Sequence, residues 1–449
     1  EVSGYQVSRA AIESVGVGLR PYDESILTRA GGFGNVDATG VRMYSFPGQT
    51  RQWNHPVGQA QYAVANLNSY RLNPDPRYLA IAEANGQRLV DRRVVSADAW
   101  YYPYDFDFAV HGDTTQTLRA PWYSSMAQGE ALSAFSRLYQ VTHDAKWLEA
   151  ADRTYLSLVQ APEGEAPFAS RVDSAGRLWF EEYPRYPVSQ SEMVLNGHIF
   201  TMFGLYDYWQ LTGRRADVGK LFLGGLRTME LTVRTAYRRP NWASVYSLHH
   251  AIPTISYHKT HIAQFLLLWR LTTDPQWISH AAVFREDFPE KNVPGTAVIR
   301  PGTFTIYRLD SDKRVVATRR VSFSRQTGAP YSTRHRIQGG PKALQISAGG
   351  YSGWWFPESS AVYGLGAVDV DVYAPKARLV LQAGRTYTFY RIDYRGNVLG
   401  SKRLTVTRTT SAPTNHSAVV LGRPSWYVTA GWLAGYYVAF QTGVGASSY

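Results

Sequence analysis

Three stretches of the chain gather groups that can move protons or hold ligands. The first is Pro121-Trp122-Tyr123-Ser124-Ser125-Met126-Ala127-Gln128-Gly129-Glu130, which opens a helix running on to Tyr139. The second is Glu181-Glu182-Tyr183-Pro184, followed by Val194-Leu195-Asn196-Gly197-His198 at a helix start. The third runs from Trp242 to His261 and holds Val245-Tyr246-Ser247-Leu248-His249-His250 and Ser256-Tyr257-His258-Lys259-Thr260-His261-Ile262. A tyrosine hydroxyl exchanges protons near neutrality only if nearby cations lower its ordinary pKa of about 10. Histidine titrates there unaided. Glu181 or Glu182 with Asp105 or Asp107 would serve glycoside hydrolysis if the two carboxyls faced each other across a cleft.

Histidines 249, 250, 258 and 261 invite a zinc reading, since paired His at short spacing can bind the metal. No carboxylate stands in the usual companion position, and His258 and His261 face two sides of a helix start. The expectation is therefore no metal, with His261 and His258 buried and hydrogen-bonded. Asp105, Asp107 and Asp113 share a loop that suits calcium, although acidic loop residues are more often solvated. There is no phosphate-binding Gly-rich loop and no dinucleotide fingerprint, so no cofactor is expected. Trp122, Gln128 and Asn196 fit sugar contact and helix-start packing equally well. Arg119 reads as a solvated loop charge or a polyanion contact.

These stretches need a frame to hold them. Four turns, at Asn73-Pro74-Asp75-Pro76, Thr142-His143-Asp144, Thr212-Gly213-Arg214 and Thr272-Thr273-Asp274-Pro275, recur about 60 to 70 residues apart. Thr and Asp cap helix N-termini, and Pro suits a first helical position. Repeated helix hairpins predict an incomplete (α/α) barrel, with long connections gathered at one mouth. Near Asn292 helical periodicity gives way to alternation, as in Thr303-Phe304-Thr305-Ile306-Tyr307-Arg308-Leu309. Tyr307-Arg308-Leu309-Asp310 matches Tyr390-Arg391-Ile392-Asp393, and Ala329-Pro330 matches Ala412-Pro413 at the same offset. The prediction is a multidomain α + β chain. It has an N-terminal extension (1–50) packed on the barrel, a helical domain (51–290), and two related β-sandwich-like modules (293–372 and 373–449). Trp354, Trp355, Tyr436 and Tyr437 are expected in the sheet cores rather than on a ligand platform.

Composition narrows the partners. With 44% hydrophobic and 18% charged residues the chain is globular, not disordered. No apolar run is long enough to span a membrane. Cysteine is absent, which excludes disulfides and Cys-ligated metal. A net charge of +12 favours polyanions. Lys and Arg are scattered rather than clustered, which argues against nucleic acid. Abundant Tyr and Trp suit sugar faces. The chain begins at Glu1 and reads as a mature, exported one, secreted by a bacterium. A homodimer is left open.

The three stretches, in order, resemble the catalytic region of the D-glucuronyl C5-epimerase family. The family shows Trp-Tyr-Ser-x-Met-Ala-Gln-Gly, then Glu-Tyr-Pro with Val-Leu-Asn-Gly, then Tyr-x-Leu-x-His with Tyr-His-x-Thr-His-Ile. His55-Pro56-Val57-Gly58-Gln59-Ala60-Gln61-Tyr62-Ala63 is similar to its entry into the first barrel helix, so the likeness covers about residues 50–285. The resemblance implies inversion at C5 of glucuronate in an acidic polysaccharide such as heparosan. That reaction needs a base on one face, an acid on the other and cations on the carboxylate. It assigns proton handling to Tyr183, Tyr246 and Tyr257, and a catalytic or orienting role to Glu182. Trp122, Tyr123, Gln128, Arg119, Asn196, His250, Lys259 and His261 would bind substrate. One position departs from the pattern. His249 stands where the family usually has Arg, so the carboxylate would meet His249 itself at lower pH, or Lys259, Arg185 or Arg119. His249 could also be a base. A uronate lyase shares the same first step and is the alternative, ahead of a glycoside hydrolase and a non-catalytic glycan binder.

Overall fold

The computed structural model describes residues 1–32, 34–289, 294–393 and 398–448. The expected junction of the helical and strand-rich halves, at 290–293, lies outside the described residues. The chain forms two compact units, Glu1–Tyr237 with Tyr246–Ile252, and Arg238–Val245 with Pro253–Tyr449.

The first unit holds three helix hairpins: α1 (Pro56–Leu72) with α2 (Pro76–Arg92), α3 (Ser125–Thr142) with α4 (Ala145–Val159), and α5 (Leu195–Leu211) with α6 (Ala216–Thr232). The turns do what their sequences require. Asp75 accepts from Arg77 N at 3.0 Å, and Asp144 from Lys146 N at 3.0 Å, each starting the second helix of its pair. His143 closes α3 with a left-handed φ of 56°. Short antiparallel pairs fill the connections: β1 (Met43–Tyr44) with β2 (Trp53–Asn54), β3 (Val94–Ser96) with β4 (Ala99–Tyr101), β5 (Phe108–Ala109) with β6 (Thr117–Leu118), and β7 (Ser170–Val172) with β8 (Leu178–Phe180).

Helices α3 and α5 are buried along most of their length. They can approach because both carry glycine where they meet. A Cβ on Gly129 would lie 2.5 Å from Thr201 Cα, and one on Gly204 would lie 2.6 Å from the Gly129 carbonyl carbon. The polar side chains of this crossing are tied internally. The Arg137 guanidinium donates to Asp207 at 2.9 Å, Asp23 at 2.7 Å and Asn68 at 3.0 Å. Burial raises the Asp23 carboxyl, but Arg137 and Arg20 outweigh it and hold that carboxyl below its ordinary range. The N-terminal segment is thus pinned to α3 and α5 by a buried ion cluster.

The second unit begins with the hairpin α7 (Ile255–Thr272) and α8 (Gln276–Asp287). Two antiparallel sheets follow. One contains β9 (Gly295–Ile299), β10 (Gly302–Leu309), β11 (Val315–Phe323), β12 (Thr327–Arg336), β13 (Lys342–Ile346), β14 (Trp355–Pro357) and β15 (Val362–Gly364). The other contains β16 (Ala367–Leu381), β17 (Arg385–Ile392), β18 (Val398–Val406), β19 (Thr410–Val420), β20 (Arg423–Tyr427), β21 (Tyr437–Ala439) and β22 (Val444–Ser448). Their strand orders are β11-β10-β14-β13-β12-β9-β15 and β18-β17-β21-β20-β19-β16-β22, the same order shifted by one sheet. Ile299, Ile306, Leu344, Ile346 and Phe356 form the core of the first sheet. Trp355 and Tyr436 are buried, and Trp354 packs against that core. Among the described residues no helix is long and apolar enough to cross a membrane.

Gly204→Ala is expected to destabilise the first unit by about 1–3 kcal/mol, because backbone of α3 occupies the space its methyl needs. Urea denaturation followed by tryptophan fluorescence measures it. An unchanged midpoint would mean that the helices can separate without cost.

Candidate active site

The strand β8 delivers Glu181, Glu182 and Tyr183 to the N-terminal ends of α3 and α5. Its carbonyl end is fixed by Ser125 N donating to Glu181 O at 2.9 Å. Phe180 N donates to His198 Nδ1 at 3.1 Å, so His198 carries its proton on Nε2, which donates to Gly225 O at 3.0 Å. Burial holds this imidazole neutral, with a pKa lowered to about 4.

The adjacent glutamates diverge. Glu181 is fully buried and accepts from Arg171 Nε at 2.7 Å and Met193 N at 2.8 Å. Both of its oxygens are occupied, which leaves it an anchor. Glu182 turns to the other side and lies against Gly197, where a side chain's Cβ would come within 2.8 Å of Glu182 Cβ. Tyr246 donates its hydroxyl to Glu182 Oε1 at 3.1 Å, and Tyr183 and Tyr246 hydroxyls are 3.3 Å apart. With Tyr246 donating to the carboxylate, Tyr183 donates to Tyr246. The three form one hydrogen-bonded chain.

Burial pushes the Glu182 carboxyl up to about 7, against the two tyrosine hydroxyls that lower it; Glu192 adds to the rise. Tyr183 is held well above its ordinary value by burial and by the Glu182 charge. The expected lowering of the tyrosine by cations is therefore corrected. Its neighbours are a carboxyl and the rings of Phe108 and Trp122, with centroids at 5.6 and 5.8 Å. Such surroundings favour a protonated hydroxyl, and the group poised at neutral pH is the carboxyl.

Beside this trio lies a cavity of about 390 Å³ lined by Gln116, Arg119, Trp122, Tyr123, Arg185 and Tyr186, among others. Arg119 pairs with Asp107 and is largely exposed. Arg185 reaches Glu192 Oε1 at 3.4 Å and donates to Gln116 O. His249 Nε2 donates to Gln116 Oε1 at 3.0 Å. His250 Nδ1 is 2.8 Å from Glu192 Oε2, which also accepts from Ser247 Oγ at 3.0 Å. His111 sets its ring edge against Tyr246, with centroids 5.3 Å apart. Among the described residues, His111, Glu192 and His250 are the group whose ligand atoms converge enough to hold a metal, all within 4.8 Å of one another.

The structure thus brings together Glu182, Tyr183 and Tyr246, with His249 and His250 adjacent and Arg119 and Tyr123 on the cavity. Trp122 is mostly packing: its ring stacks on Tyr104 at 3.8 Å and its Nε1 donates to Phe106 O at 2.8 Å. Gln128 is buried, accepting from Tyr102 N at 3.1 Å and donating to Trp100 O and Ser157 Oγ at 2.6 Å each. It braces α3 against α4 and presents no atom to solvent. Asn196 is buried in the first turn of α5. Tyr257, Lys259 and His261 belong to the second unit, on α7. Tyr257 and Lys259 are exposed there, while His261 is buried with Nδ1 2.8 Å from Ser244 Oγ. His258 is satisfied by Ser244 N at 2.9 Å and Phe284 O at 2.8 Å, as expected of a buried structural histidine. Asp105 and Asp107 are each ion-paired, to Arg92 and Arg119.

Sequence reasoning passed over His111 and Glu192. His111 precedes Gly112 in the long connection before α3, with a left-handed φ of 55°. A non-glycine residue in that region is uncommon, but nothing in its neighbours announces it. Glu192 lies 58 residues from its partner His250.

Residues 97–286 match the family model described as D-glucuronyl C5-epimerase C-terminus. A curated D-glucuronyl C5-epimerase of Caenorhabditis elegans is 28% identical over 167 residues, which is 33% of this chain and 25% of that protein. The aligned part spans about a quarter of that relative's length. The likeness to the D-glucuronyl C5-epimerase family thus rests on residues 97–286. Among solved structures, a family-76 α-mannanase of Bacteroides thetaiotaomicron is 13% identical with a TM-score of 0.36, covering 54% of this chain and 59% of that one. Cellobiose 2-epimerase of Spirochaeta thermophila is 15% identical with a TM-score of 0.38, covering 52% and 57%. Likeness this slight carries no weight for fold or activity.

The buried carboxyl makes a pH prediction. An unfolded Glu182 ionises from about 4.5, whereas the folded chain resists ionisation up to about 7. Its contribution to stability is intact below pH 4.5 and is lost as pH rises through 7. Glu130, raised to about 8 by burial, acts in the same direction. Glu182→Gln is expected to recover stability at pH 8 relative to pH 5, by an amount of order 3 kcal/mol. Urea titrations at the two pH values measure it; parallel losses in both proteins would refute the raised carboxyl.

Proposed function

We propose that the chain inverts C5 of glucuronate units within an acidic polysaccharide of the heparosan type. The observation that carries this reading is the Tyr183–Tyr246–Glu182 hydrogen-bonded chain, inside the segment that matches the epimerase family. Near neutral pH Glu182 is partly ionised and can take the Tyr246 proton as the Tyr246 oxygen removes the C5 hydrogen. The electron pair left on C5 spreads into the adjoining carboxylate. Arg185 and Arg119, on the cavity wall, are the cations suited to meet it. Two hydroxyls 3.3 Å apart stand on one side of a sugar ring, so the returning proton needs a donor on the other face. The family resemblance nominates Tyr257 for that role. In this reading the six helices of the first unit are hairpins of an incomplete (α/α) barrel, and the two sheets are related modules following a catalytic region.

The same-side placement of the tyrosines also favours a second reading. A lyase can remove the C5 proton and protonate the leaving oxygen from one side, with Tyr246 and Tyr183 as base and acid.

Incubation with heparosan in deuterated water separates the two. Deuterium at C5 without ultraviolet absorbance from a conjugated uronate supports epimerisation, and rising absorbance supports elimination. Neither signal on heparosan or other uronate polymers would overturn C5 chemistry. Tyr246→Phe is expected to slow exchange by roughly 10²–10⁴-fold. A rate within twofold of the unmodified chain would remove Tyr246 from the reaction.

A further inference from the structure

We propose that His111, Glu192 and His250 form a binding site for a divalent transition metal, zinc by ligand type, at the edge of the tyrosine pair. Two neutral imidazoles and one carboxylate make a zinc ligand set that leaves one position open. The three ligand atoms already lie within 4.8 Å of one another, and two of them, His250 Nδ1 and Glu192 Oε2, are 2.8 Å apart. A tetrahedral ion with bonds near 2.0 Å needs ligand atoms about 3.3 Å apart. Glu192 and His250 would therefore part by a few tenths of an ångström, and the exposed His111 would close in.

The surroundings match what a metal site requires beyond its ligands. Glu192 is fully buried and is held by Ser247 Oγ at 3.0 Å and Arg185 at 3.4 Å. Coordination through Nδ1 leaves His250 Nε2 to donate outward, and Asp113 Oδ2 lies 3.5 Å from it. A carboxylate on the far nitrogen of a ligating histidine fixes its tautomer and strengthens it as a ligand. No short sequence pattern announces this set, because its ligands come from three separate connections. Zinc was not expected for want of a carboxylate near the histidine pair, and the fold supplies one from Glu192.

Tyr246 adjoins the site, its ring 5.3 Å from that of His111. If the proposed C5 chemistry holds, a uronate carboxylate oxygen fits there. The metal would then provide positive charge at a site where His249 stands in place of the family's usual Arg. Only this role rests on the proposed function; the binding site does not.

The test uses the full chain, stripped with a chelator and titrated first with Co(II), then with Zn(II) against a chromogenic competitor. The expected result is one metal per chain, with the visible bands of tetrahedral cobalt. His111→Ala and His250→Ala should each weaken Zn(II) by more than tenfold, and Asp113→Asn by about tenfold. His249→Ala should bind as the unmodified chain does. Circular dichroism on each variant separates lost ligands from lost fold. Substoichiometric zinc in the unmodified chain, or His111→Ala and His250→Ala variants that are folded and bind unchanged, would overturn the site. No polysaccharide enters this assay, so its failure and a failure of C5 exchange are separate results.

Discussion

The contact on which the first unit depends is the backbone-to-backbone meeting of α3 and α5 at Gly129 and Gly204. With no side chain between them, the helices come close enough for Thr201 Oγ1 to reach Ser125 Oγ at 3.1 Å. That brings the N-terminal ends of both helices to the same strand, which is held by Ser125 N on one side and the His198 ring on the other. The direction of the Glu182 side chain follows. It is pressed toward Gly197, out of water, and it faces the hydroxyls of Tyr246 and Tyr183. A carboxylate in that position is costly, and its pKa rises toward neutrality for that reason. The proton-exchanging character of the site is thus a product of helix packing two turns away.

Neighbouring residues with the same side chain illustrate how environment divides labour. Glu181 and Glu182 are both buried, yet Glu181 faces the Arg171 guanidinium and a backbone N–H, while Glu182 faces hydroxyls and a like charge. Burial and Glu192 raise both carboxyls; at Glu181 the Arg171 guanidinium and the Met193 N–H oppose the rise, whereas Glu182 is pushed up to about 7. The same division separates the histidines. His198 and His258 have both nitrogens engaged inside the protein, whereas His250 keeps a carboxylate on each side.

Much of this frame was legible in the sequence. The turns at Asp75, Asp144 and Thr273 announced helix hairpins because capping is local chemistry. The switch from helical to alternating periodicity announced the sheets for the same reason. The order of three dense polar stretches pointed to Glu182, Tyr183 and Tyr246. What escaped was set by long-range packing. Gln128 looked like a substrate contact because its motif is conspicuous, yet its amide serves Trp100 and Ser157. Glu192 was passed over because its meaning comes from His250, far along the chain. A proton-handling tyrosine was expected to need nearby cations to lower its pKa. Burial decides its direction, and burial of one ring among Phe108 and Trp122 is a property of the fold.

The assignment of residues 246–252 to the first unit, while the residues on either side belong to the second, has a consequence for how such proteins can change over evolutionary time. A helical unit ending at Tyr237 contains all six of its helices but neither Tyr246 nor His250. It is therefore not a cassette that can be moved whole between chains. Recombination that exchanged everything after residue 237 would keep the packing and discard Tyr246, the middle member of the proton chain. The short excursion ties the inheritance of the two units together, and any lineage that lost or replaced the second would have had to rebuild those seven residues in place.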